Sequence, residues 1–462
     1  MHNKINKKSK YIVVLDVVGL DVSHISSGLI PTISDLASNG EYGYLKPVFP
    51  AVTSTVQASI LSGKYPNQHG IISNGLFDRD NFQALFWEQS SKLVQTERIW
   101  DILKKKNNNI QTSVLFWQNT MFANAEFVIT PRPIHLENGH MDMWCYSRPP
   151  EYYEEVSQSI GEFDLYSYWG PLASFKSTEW ISKSVEFTME KHMPNLLYAY
   201  FPQLDYSSQK FGKNSNQVKD DLKKIDIVIN SIIEKIKKLG IIEDTEFILF
   251  SEYGFNDVNE GISINKILRE KGLLVTRTIK NKEYIDFEYS KAFAIVDHQI
   301  ANIYLNKQGD KKNVKKVLEN IPDIEMICDD KEKQNLKIDH SRSGEFIAIS
   351  NKDKWFSYYW WDDDDKAPTF AKTVDIHRKP GYDPLELFVN PQTKSIPFET
   401  SLIKGSHGRP FNLKTGEGLA AYISSKKLEI DKNDEDKNDG LFNGENVLNC
   451  IDLFDIINKN FS

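Results

Sequence analysis

Residues 11–16 read Tyr-Ile-Val-Val-Leu-Asp, so five apolar residues are followed at once by a carboxylate. A short continuous apolar run is typical of a strand that is buried on both faces of a parallel sheet. The same pattern, with polar residues directly after the run, recurs at Ser113–Trp117, Leu196–Phe201 and Phe247–Phe250. These runs predict the strands of one buried, mostly parallel sheet.

Helical patterns lie around and between these runs. They are found at Leu29–Asn39, Thr55–Ser62, Glu97–Lys106, Ser177–His192 and Asn216–Leu239. The alternation of strands and helices predicts an α/β fold with a doubly wound sheet. Because ligands bind at the carboxyl ends of the strands in such sheets, we expect the polar residues that follow the runs to lie close together.

Two segments interrupt this alternation. Residues 81–176 hold several aromatic side chains and a proline-rich stretch at 130–133, and residues 255–399 include the strand-like Ala301–Leu305 and Glu345–Ser350. We interpret both segments as insertions that cover the site of a single domain, the second of them with mixed strands.

Composition and charge narrow the possible partners. The chain has 462 residues, of which 40% are hydrophobic and 26% charged, as in ordinary soluble globular proteins. The net charge of −8 gives no basic field that would attract a nucleic acid polymer or an anionic membrane. The charged stretch at 426–440 predicts a solvated loop.

The lengths of the apolar runs and the spacing of the cysteines indicate the cellular compartment of the protein. The apolar run that starts at Tyr11 is shorter than the roughly 7–15 residues of a signal-peptide core, and no run reaches the roughly 18–20 residues of a membrane span. The cysteines, Cys145, Cys328 and Cys450, lie far apart and form no CxxC pair, which suits a reducing compartment. We therefore predict a cytoplasmic protein that does not bind membranes.

A cluster of hydroxyl side chains stands at the start of one predicted helix. Residues 47–63 read PVFPAVTSTVQASILSG, in which a strand-like run leads into Thr53-Ser54-Thr55 and the helix ends at Gly63. A hydroxyl in this place either caps the helix or acts as a nucleophile where the helix N-terminus stabilises a bound anion. Taken alone, the segment favours capping.

Further motifs in the sequence favour the nucleophile over the helix cap. In chain order they are Asp16 after the first run, His69-Gly70-Ile71-Ile72-Ser73-Asn74, Leu204-Asp205-Tyr206-Ser207-Ser208-Gln209, Ser251-Glu252-Tyr253-Gly254-Phe255 and Gly405-Ser406-His407-Gly408. This order resembles the alkaline phosphatase superfamily, in particular its type I phosphodiesterase/nucleotide pyrophosphatase branch, near phosphonoacetate hydrolase. The resemblance is strongest over 46–74, and it implies one alkaline phosphatase-like catalytic domain over 1–462.

The resemblance implies roles for particular residues. It places the metal-bound nucleophile on Thr53 and the asparagine that holds a phosphoryl oxygen on Asn74. It places metal ligands on Asp16, Asp205 and His407. It also implies two divalent metal ions, for which we expect zinc, with manganese or iron as alternatives.

The chain departs from the family pattern at two imidazoles. Gln209 and Tyr253 stand where the family has histidine ligands, while Glu252 keeps a carboxylate. Gln is a poor zinc ligand and a tyrosine phenol an uncommon one, so replacements are needed to complete two sites. We predict His298 and His377 as replacement ligands, although each is equally explained as an ordinary hydrogen-bonded histidine.

These features together predict a metal-dependent hydrolase of small phosphate esters. The substrate would be a phosphodiester, pyrophosphate or monoester, cleaved through a covalent phosphothreonine. Two alternatives stay open: a C–P or sulfate ester hydrolase, and a phospho-ligand binding protein without catalysis. His135 and His140 match no ligand pattern, and we interpret them as structural.

Overall fold

The computed structural model describes residues 8–137, 141–428 and 446–461. Most of the predicted loop at 426–440 and His140 lie outside the described residues. None of the helices in these ranges is both long enough and apolar enough to cross a membrane. Cys145, Cys328 and Cys450 are buried, free thiols.

The described strands are β1 Tyr11–Val17, β2 Glu41–Lys46, β3 Gly75–Asp78, β4 Gln83–Phe86, β5 Thr112–Leu115, β6 Phe127–Pro131, β7 Ile134–His135, β8 Met141–Asp142, β9 Cys145–Arg148, β10 Leu196–Phe201, β11 Thr245–Phe250, β12 Asn256–Asp257, β13 Glu260–Ser263, β14 Thr276–Ile279, β15 Lys282–Ile285, β16 Ala292–Asp297, β17 Ile300–Leu305, β18 Ile324–Cys328, β19 Phe346–Ser350, β20 Lys354–Ser357, β21 Gly405–Ser406, β22 Ala420–Ser424 and β23 Asn446–Asn449.

The described helices are α1 Val22–Ile25, α2 Pro31–Asn39, α3 Thr53–Ser62, α4 Pro66–His69, α5 Ile99–Lys106, α6 Tyr152–Ile160, α7 Lys176–Lys191, α8 Gln203–Phe211, α9 Asn216–Lys238, α10 Ile264–Glu270, α11 Lys311–Glu319, α12 Asp330–Asn335 and α13 Asp452–Asn460. The helices that the sequence predicts correspond to α2, α3, α5, α7 and α9, and each agrees to within two residues at either end.

The central feature is a nine-stranded sheet in the order β23-β2-β22-β11-β1-β10-β5-β6-β9. Its middle strands, from β11 through β6, run parallel to one another, whereas β22 and β9 are antiparallel to their neighbours. All seven residues of β1 are buried, as the continuous apolar run predicts. The predicted α/β class with a mostly parallel sheet is therefore confirmed.

Strand register brings the predicted site residues to one edge of this sheet. Asp16 on β1 lies beside Tyr200 of β10 on one side and beside Phe250 of β11 on the other. Since α8 begins two residues after β10 ends and Glu252 follows β11 by two residues, the polar ends of all three strands meet. This is the edge at which parallel sheets bind ligands.

The helices pack on the sheet through apolar faces. α2 contacts β2 and β22, α7 contacts β5 and β10, and both helices contact α9. On α9, Val218, Leu222, Ile225, Ile229 and Ile232 are buried, which is the three-and-four spacing of one helix face. Ser215 starts this helix by accepting a hydrogen bond from the N–H of Val218.

α3 is enclosed over its whole length. All ten of its residues are buried, and it ends at Gly63, which has a φ of +64°. A Cβ at this position would stand 2.8 Å from the Phe454 ring, so both the left-handed turn and the close contact require glycine. The hydroxyl-rich start of α3 is thereby fixed at the sheet edge.

The two predicted insertions differ in what they build. The segment 81–176 is more than a cover, because β5, β6 and β9 belong to the central sheet. The segment 255–399 contains a separate antiparallel sheet in the order β16-β17-β19-β18, which has its own apolar core. The division into one domain with two covering insertions stays a prediction.

Candidate functional site

The Thr53 hydroxyl does not cap its helix. Thr53 is the first residue of α3, and the N-cap residue before it, Val52, is extended and makes no capping hydrogen bond from its side chain. The side chain of Thr53 is buried, and its Oγ1 lies 3.0 Å from the hydroxyl of Tyr253. Because capping explains nothing here, the hydroxyl is available for chemistry at the sheet edge.

Asp16, Glu252 and Thr53 form what we call the carboxylate half of the site. Both acidic side chains are fully buried, and Asp16 Oδ2 accepts a hydrogen bond of 3.3 Å from Gln57 Nε2. Asp16 Oδ1 and both oxygens of Glu252 have no hydrogen-bond partner among the described residues. Burial, together with the nearby Glu252, raises the pKa of Asp16 well above its ordinary value, and burial raises the pKa of Glu252 to about 7.

Asp205, Gln209 and His407 form the histidine half. Gln209 follows Asp205 by one turn of α8, and its Nε2 donates to Asp205 Oδ2 at 2.7 Å. His407 donates from Nδ1 to the carbonyl of Ala51 at 2.7 Å, which leaves Nε2 as an acceptor 3.6 Å from Asp205 Oδ1. Burial raises the pKa of Asp205 to about 8 and lowers the pKa of His407.

Tyr253 joins the two halves. Its hydroxyl lies 3.0 Å from Thr53 Oγ1 and donates a long hydrogen bond of 3.5 Å to Asp205 Oδ1. Its ring stacks on the His407 ring with centroids 3.6 Å apart and planes 10° apart. Burial raises the pKa of Tyr253 well above its ordinary value, so the side chain is a neutral phenol at neutral pH.

Asn74 is held at the start of α3 by three hydrogen bonds with two residues. Its Oδ1 accepts from the N–H of Ser54 at 2.9 Å, which satisfies one of the free donors of the helix end. Its own N–H donates to Asp297 Oδ2 at 2.8 Å, and its Nδ2 donates to Asp297 Oδ1 at 3.2 Å. The side-chain amide therefore has a fixed orientation.

His298 is oriented by the same aspartate. Its Nδ1 lies 2.6 Å from Asp297 Oδ1, and its ring packs between Tyr382, with centroids 3.9 Å apart, and His407, with centroids 3.8 Å apart. His298 has a φ of +55°, an uncommon backbone state for a residue with a side chain. Such strain is typical of functional sites, where the surrounding structure enforces it.

His377 is not brought into this cluster. Its side chain is exposed, and its Nδ1 donates to the carbonyl of Phe86 at 2.8 Å. None of the contacts described for His377 joins it to the other predicted site residues. The alternative that it is an ordinary hydrogen-bonded histidine explains these contacts.

Three side chains that shape the site escape prediction from the sequence. Gln57 binds Asp16 and could have been found, because it lies one turn after Thr53 on the same helix face. Asp297 precedes His298 in the chain, but its bonds to Asn74 have no local signal. The Tyr382 hydroxyl donates to Gln209 Oε1 at 2.9 Å across a separation of 173 residues, which no spacing rule predicts.

Comparison with known proteins places this geometry in a family. The model of the type I phosphodiesterase / nucleotide pyrophosphatase family matches residues 12–383. The chain belongs to this family. The resemblance drawn from the order of the motifs is thereby confirmed.

Curated relatives of the family match part of the chain. An uncharacterized pyrophosphatase/phosphodiesterase of Schizosaccharomyces pombe is 24% identical over 266 residues, which is 55% of this chain and 46% of that protein. Rat ectonucleotide pyrophosphatase/phosphodiesterase family member 1 is 24% identical over 262 residues, which is 55% of this chain and 25% of that protein. The matched region thus spans less than half the length of these two relatives.

Solved structures match over nearly the whole chain. Phosphonoacetate hydrolase from Sinorhizobium meliloti 1021, in complex with phosphonoformate, has a TM-score of 0.63 at 13% identity and covers 98% of this chain and 97% of its own. An inactive threonine-to-alanine variant of murine ectonucleotide pyrophosphatase/phosphodiesterase 5, in complex with AMP, has a TM-score of 0.62 at 14% identity, covering 98% and 95%. These likenesses show that the fold is of the alkaline phosphatase type.

Family members generally depend on two metal ions. Among the residues that the structure describes, no group of three or more His, Cys, Asp and Glu side chains is arranged to hold a metal ion. The buried, unpartnered oxygens of Asp16 and Glu252 nevertheless fit a cation, because an ionised carboxylate is costly to bury without a compensating charge or donor. The donors of the histidine half fit less well, since both ends of the Gln209 amide are already engaged.

Proposed function

We propose that the protein is a divalent-cation-dependent hydrolase of small phosphate esters, with Thr53 as the nucleophile. The substrates would be phosphodiesters, pyrophosphates or monoesters. The observation that carries this proposal is the buried Thr53 hydroxyl, which starts a helix without capping it and contacts both the Glu252 carboxyl group and the Tyr253 hydroxyl. Membership of the phosphodiesterase family supports the same chemistry.

The proton of Thr53 has a hydrogen-bonded path away from the reacting oxygen. Thr53 Oγ1 can donate to the Tyr253 hydroxyl, which in turn donates to Asp205 Oδ1. Asp205 is the acceptor at the end of this path when its carboxyl group is ionised, which its pKa of about 8 places at mildly alkaline pH, and it is held in place by Gln209. A threonine hydroxyl is a weak nucleophile until an adjacent group accepts its proton, so this relay prepares it for attack.

The phosphoryl group would bind beside the N-terminus of α3. A small open cleft lies beside Ser54 at this helix end and is also lined by Asn74, Leu76, Leu85 and Asn119, among others. The Nδ2 of Asn74 carries a second hydrogen that can donate to a phosphoryl oxygen. Positive helix ends and fixed amide donors stabilise anions in this way.

The reaction would then proceed in two displacements. In the first, a bond forms between Thr53 Oγ1 and phosphorus while the bond from phosphorus to the ester oxygen breaks, and the leaving alcohol takes a proton from water. In the second, water attacks phosphorus and loses a proton to solvent, the bond from phosphorus to Thr53 Oγ1 breaks, and Thr53 regains the proton that Asp205 accepted. The product is phosphate from a monoester and a phosphomonoester from a diester. Asp16 and Glu252 would hold a divalent cation, whose contribution when bound is to neutralise charge on the phosphoryl group.

Replacement of Thr53 tests the assignment of the nucleophile. Thr53→Ala should lower turnover of bis(4-nitrophenyl) phosphate by on the order of a thousandfold or more, with circular dichroism unchanged. The matched control is Thr55→Val, which removes a buried hydroxyl of the same helix that has no described hydrogen-bond partner. Equal turnover by wild type and Thr53→Ala would reject the nucleophile.

One observation keeps a second function in view. The absence of two family imidazoles, at Gln209 and Tyr253, would also suit a protein that binds phosphorylated ligands without cleaving them. A panel of phosphodiester, phosphomonoester, phosphonate and sulfate ester substrates separates this binding function from the hydrolases. Binding of AMP without turnover of any member of the panel would favour it.

A further inference from the structure

The two halves of the site differ in how their polar atoms are satisfied. In the carboxylate half, Asp16 Oδ1, Glu252 Oε1 and Glu252 Oε2 are buried and unpartnered among the described residues. The side chains of Asp16, Thr53, Gln57 and Tyr253 come close enough to the Glu252 carboxyl group to lower its pKa, but none of them makes a hydrogen bond of full geometry with it. The ion pairs described for these acidic groups include none with Lys or Arg, so no described protein cation balances them.

In the histidine half, most of the corresponding side-chain polar atoms already make hydrogen bonds. Asp205 accepts on one oxygen from Gln209 and on the other from Tyr253. The Gln209 amide donates through Nε2 and accepts through Oε1 from Tyr382, so neither end is left over. Of the possible ligand atoms in this half, His407 Nε2 is the one that is buried without a described partner.

His298 does not complete this half as a ligand. Two imidazoles that bind one tetrahedral zinc ion hold their ring centres about 5 Å apart, because each nitrogen lies about 2 Å from the metal. The rings of His298 and His407 have centroids 3.8 Å apart, so they pack against each other rather than converge on one point. Asp205 and His407 alone fall short of the three protein ligands that a zinc site normally has.

Tyr253 occupies the space between the halves. Its phenol lies against the His407 ring and reaches both Thr53 and Asp205. It therefore makes, through hydrogen bonds, the connection between nucleophile and second aspartate that would otherwise need an ion. The ligand atoms left for a cation are oxygens of three residues, Asp16, Glu252 and Thr53.

We propose that the protein binds a single hard divalent cation, Mg²⁺ or Mn²⁺, through Asp16, Glu252 and Thr53, and that the histidine half works without a metal ion. The inference rests on the proposed function, since it concerns the same site. Carboxylate and hydroxyl oxygens suit Mg²⁺ and Mn²⁺, and Mg²⁺ commonly takes one or two protein carboxylates and completes its shell with water and substrate phosphate.

The test is a count of bound ions. The full chain is stripped with EDTA, dialysed, and titrated with MnCl₂ in a calorimeter, and the bound manganese is measured by mass spectrometry after equilibrium dialysis. We expect one Mn²⁺ per chain. Binding of two ions per chain, or of none, would overturn the proposal.

Variants locate the ion. Glu252→Gln should weaken Mn²⁺ binding by at least about tenfold, because it removes a charged ligand. Its control is Glu246→Gln, which changes a buried glutamate of β11 that binds Ser9 and Ser424 instead. His407→Gln should leave one ion bound with unchanged affinity. Loss of the ion in His407→Gln, with binding retained in Glu252→Gln, would overturn the proposal.

A double variant tests the role of the missing imidazoles. Tyr253→His combined with Gln209→His should bind one zinc ion per chain more than the wild type when both are dialysed against ZnCl₂, with circular dichroism as the control for folding. A wild-type count of one with no turnover of any phosphate ester would contradict the proposed function while leaving this inference standing. Turnover with two ions bound to the wild type would do the reverse.

Discussion

The carboxylate half and the histidine half of the site lie side by side, yet only the first keeps the ligand types of the family. The carboxylate half keeps acidic residues at both family positions and leaves three of their oxygens without described partners. The histidine half has lost two imidazoles, and a network of Tyr253, Gln209 and Tyr382 fills the gap. This difference is the basis of our proposal that a cation binds in the carboxylate half and not in the histidine half.

A buried charge cluster elsewhere in the chain shows how this protein balances two buried carboxylates with a lysine. Lys379 is almost fully buried and pairs with Asp383 at 2.7 Å and with Glu386 at 2.6 Å. Two carboxylates are there balanced by a cation that the protein supplies. The described residues give the carboxylate half no such partner, which is why we assign its balancing charge to a bound ion.

The largest expected effect separates the two halves by activity. Glu252→Gln should lower turnover of bis(4-nitrophenyl) phosphate by about a thousandfold, whereas His407→Gln should lower it by about tenfold or less, since only the first removes a cation ligand. Steady-state kinetics at saturating Mn²⁺ measures both. Equal losses in the two variants would break the distinction between the halves.

Removal of the protein cation at the second cluster gives the next largest effect. Lys379→Met leaves Asp383 and Glu386 buried without their partner and should destabilise the protein by about 3–5 kcal/mol. Urea unfolding followed by circular dichroism measures the loss. The control is Lys237→Met at an exposed pair with Glu234, where little change is expected. Similar midpoints for both variants would show that burial of the charge pair does not matter.

A smaller effect tests the link between the halves. Tyr253→Phe keeps the ring on His407 but removes the hydroxyl that joins Thr53 to Asp205, so turnover should fall by about 10- to 100-fold. The number of Mn²⁺ ions bound should stay at one, as measured by equilibrium dialysis. Unchanged turnover would show that the proton leaves Thr53 by another route.

The sequence is sufficient to predict the core of the fold and half of the site. Continuous apolar runs predict β1, β10 and β11, and the polar ends of these strands have to meet because parallel strands share one carboxyl edge. The positions of Asp16 and Glu252 in the chain are therefore enough to place them near one another. The proposal that Thr53 is the nucleophile needs the family resemblance as well, because a hydroxyl at a helix start more often caps.

The contacts of Asp297 and Tyr382 with the site could not be predicted, because both residues come from the segment 255–399. They reach the sheet edge only after that segment folds on its own antiparallel sheet. Their contact partners lie far away in the chain, so no local spacing rule predicts these contacts. His377 lies in the same segment, and the acidic residue near it in the sequence suggests a metal ligand. In the structure, its side chain instead makes a hydrogen bond with the carbonyl of Phe86. The cytoplasmic location stays a prediction.

The central claim is that a cation in the carboxylate half enables Thr53 to cleave a phosphate ester. The most direct measurement is turnover of bis(4-nitrophenyl) phosphate by EDTA-stripped protein as Mn²⁺ is added back in steps. We predict a rate at background without the ion, rising to its maximum as about one equivalent binds. Full turnover by the stripped protein, or none at any Mn²⁺ concentration, would contradict the claim.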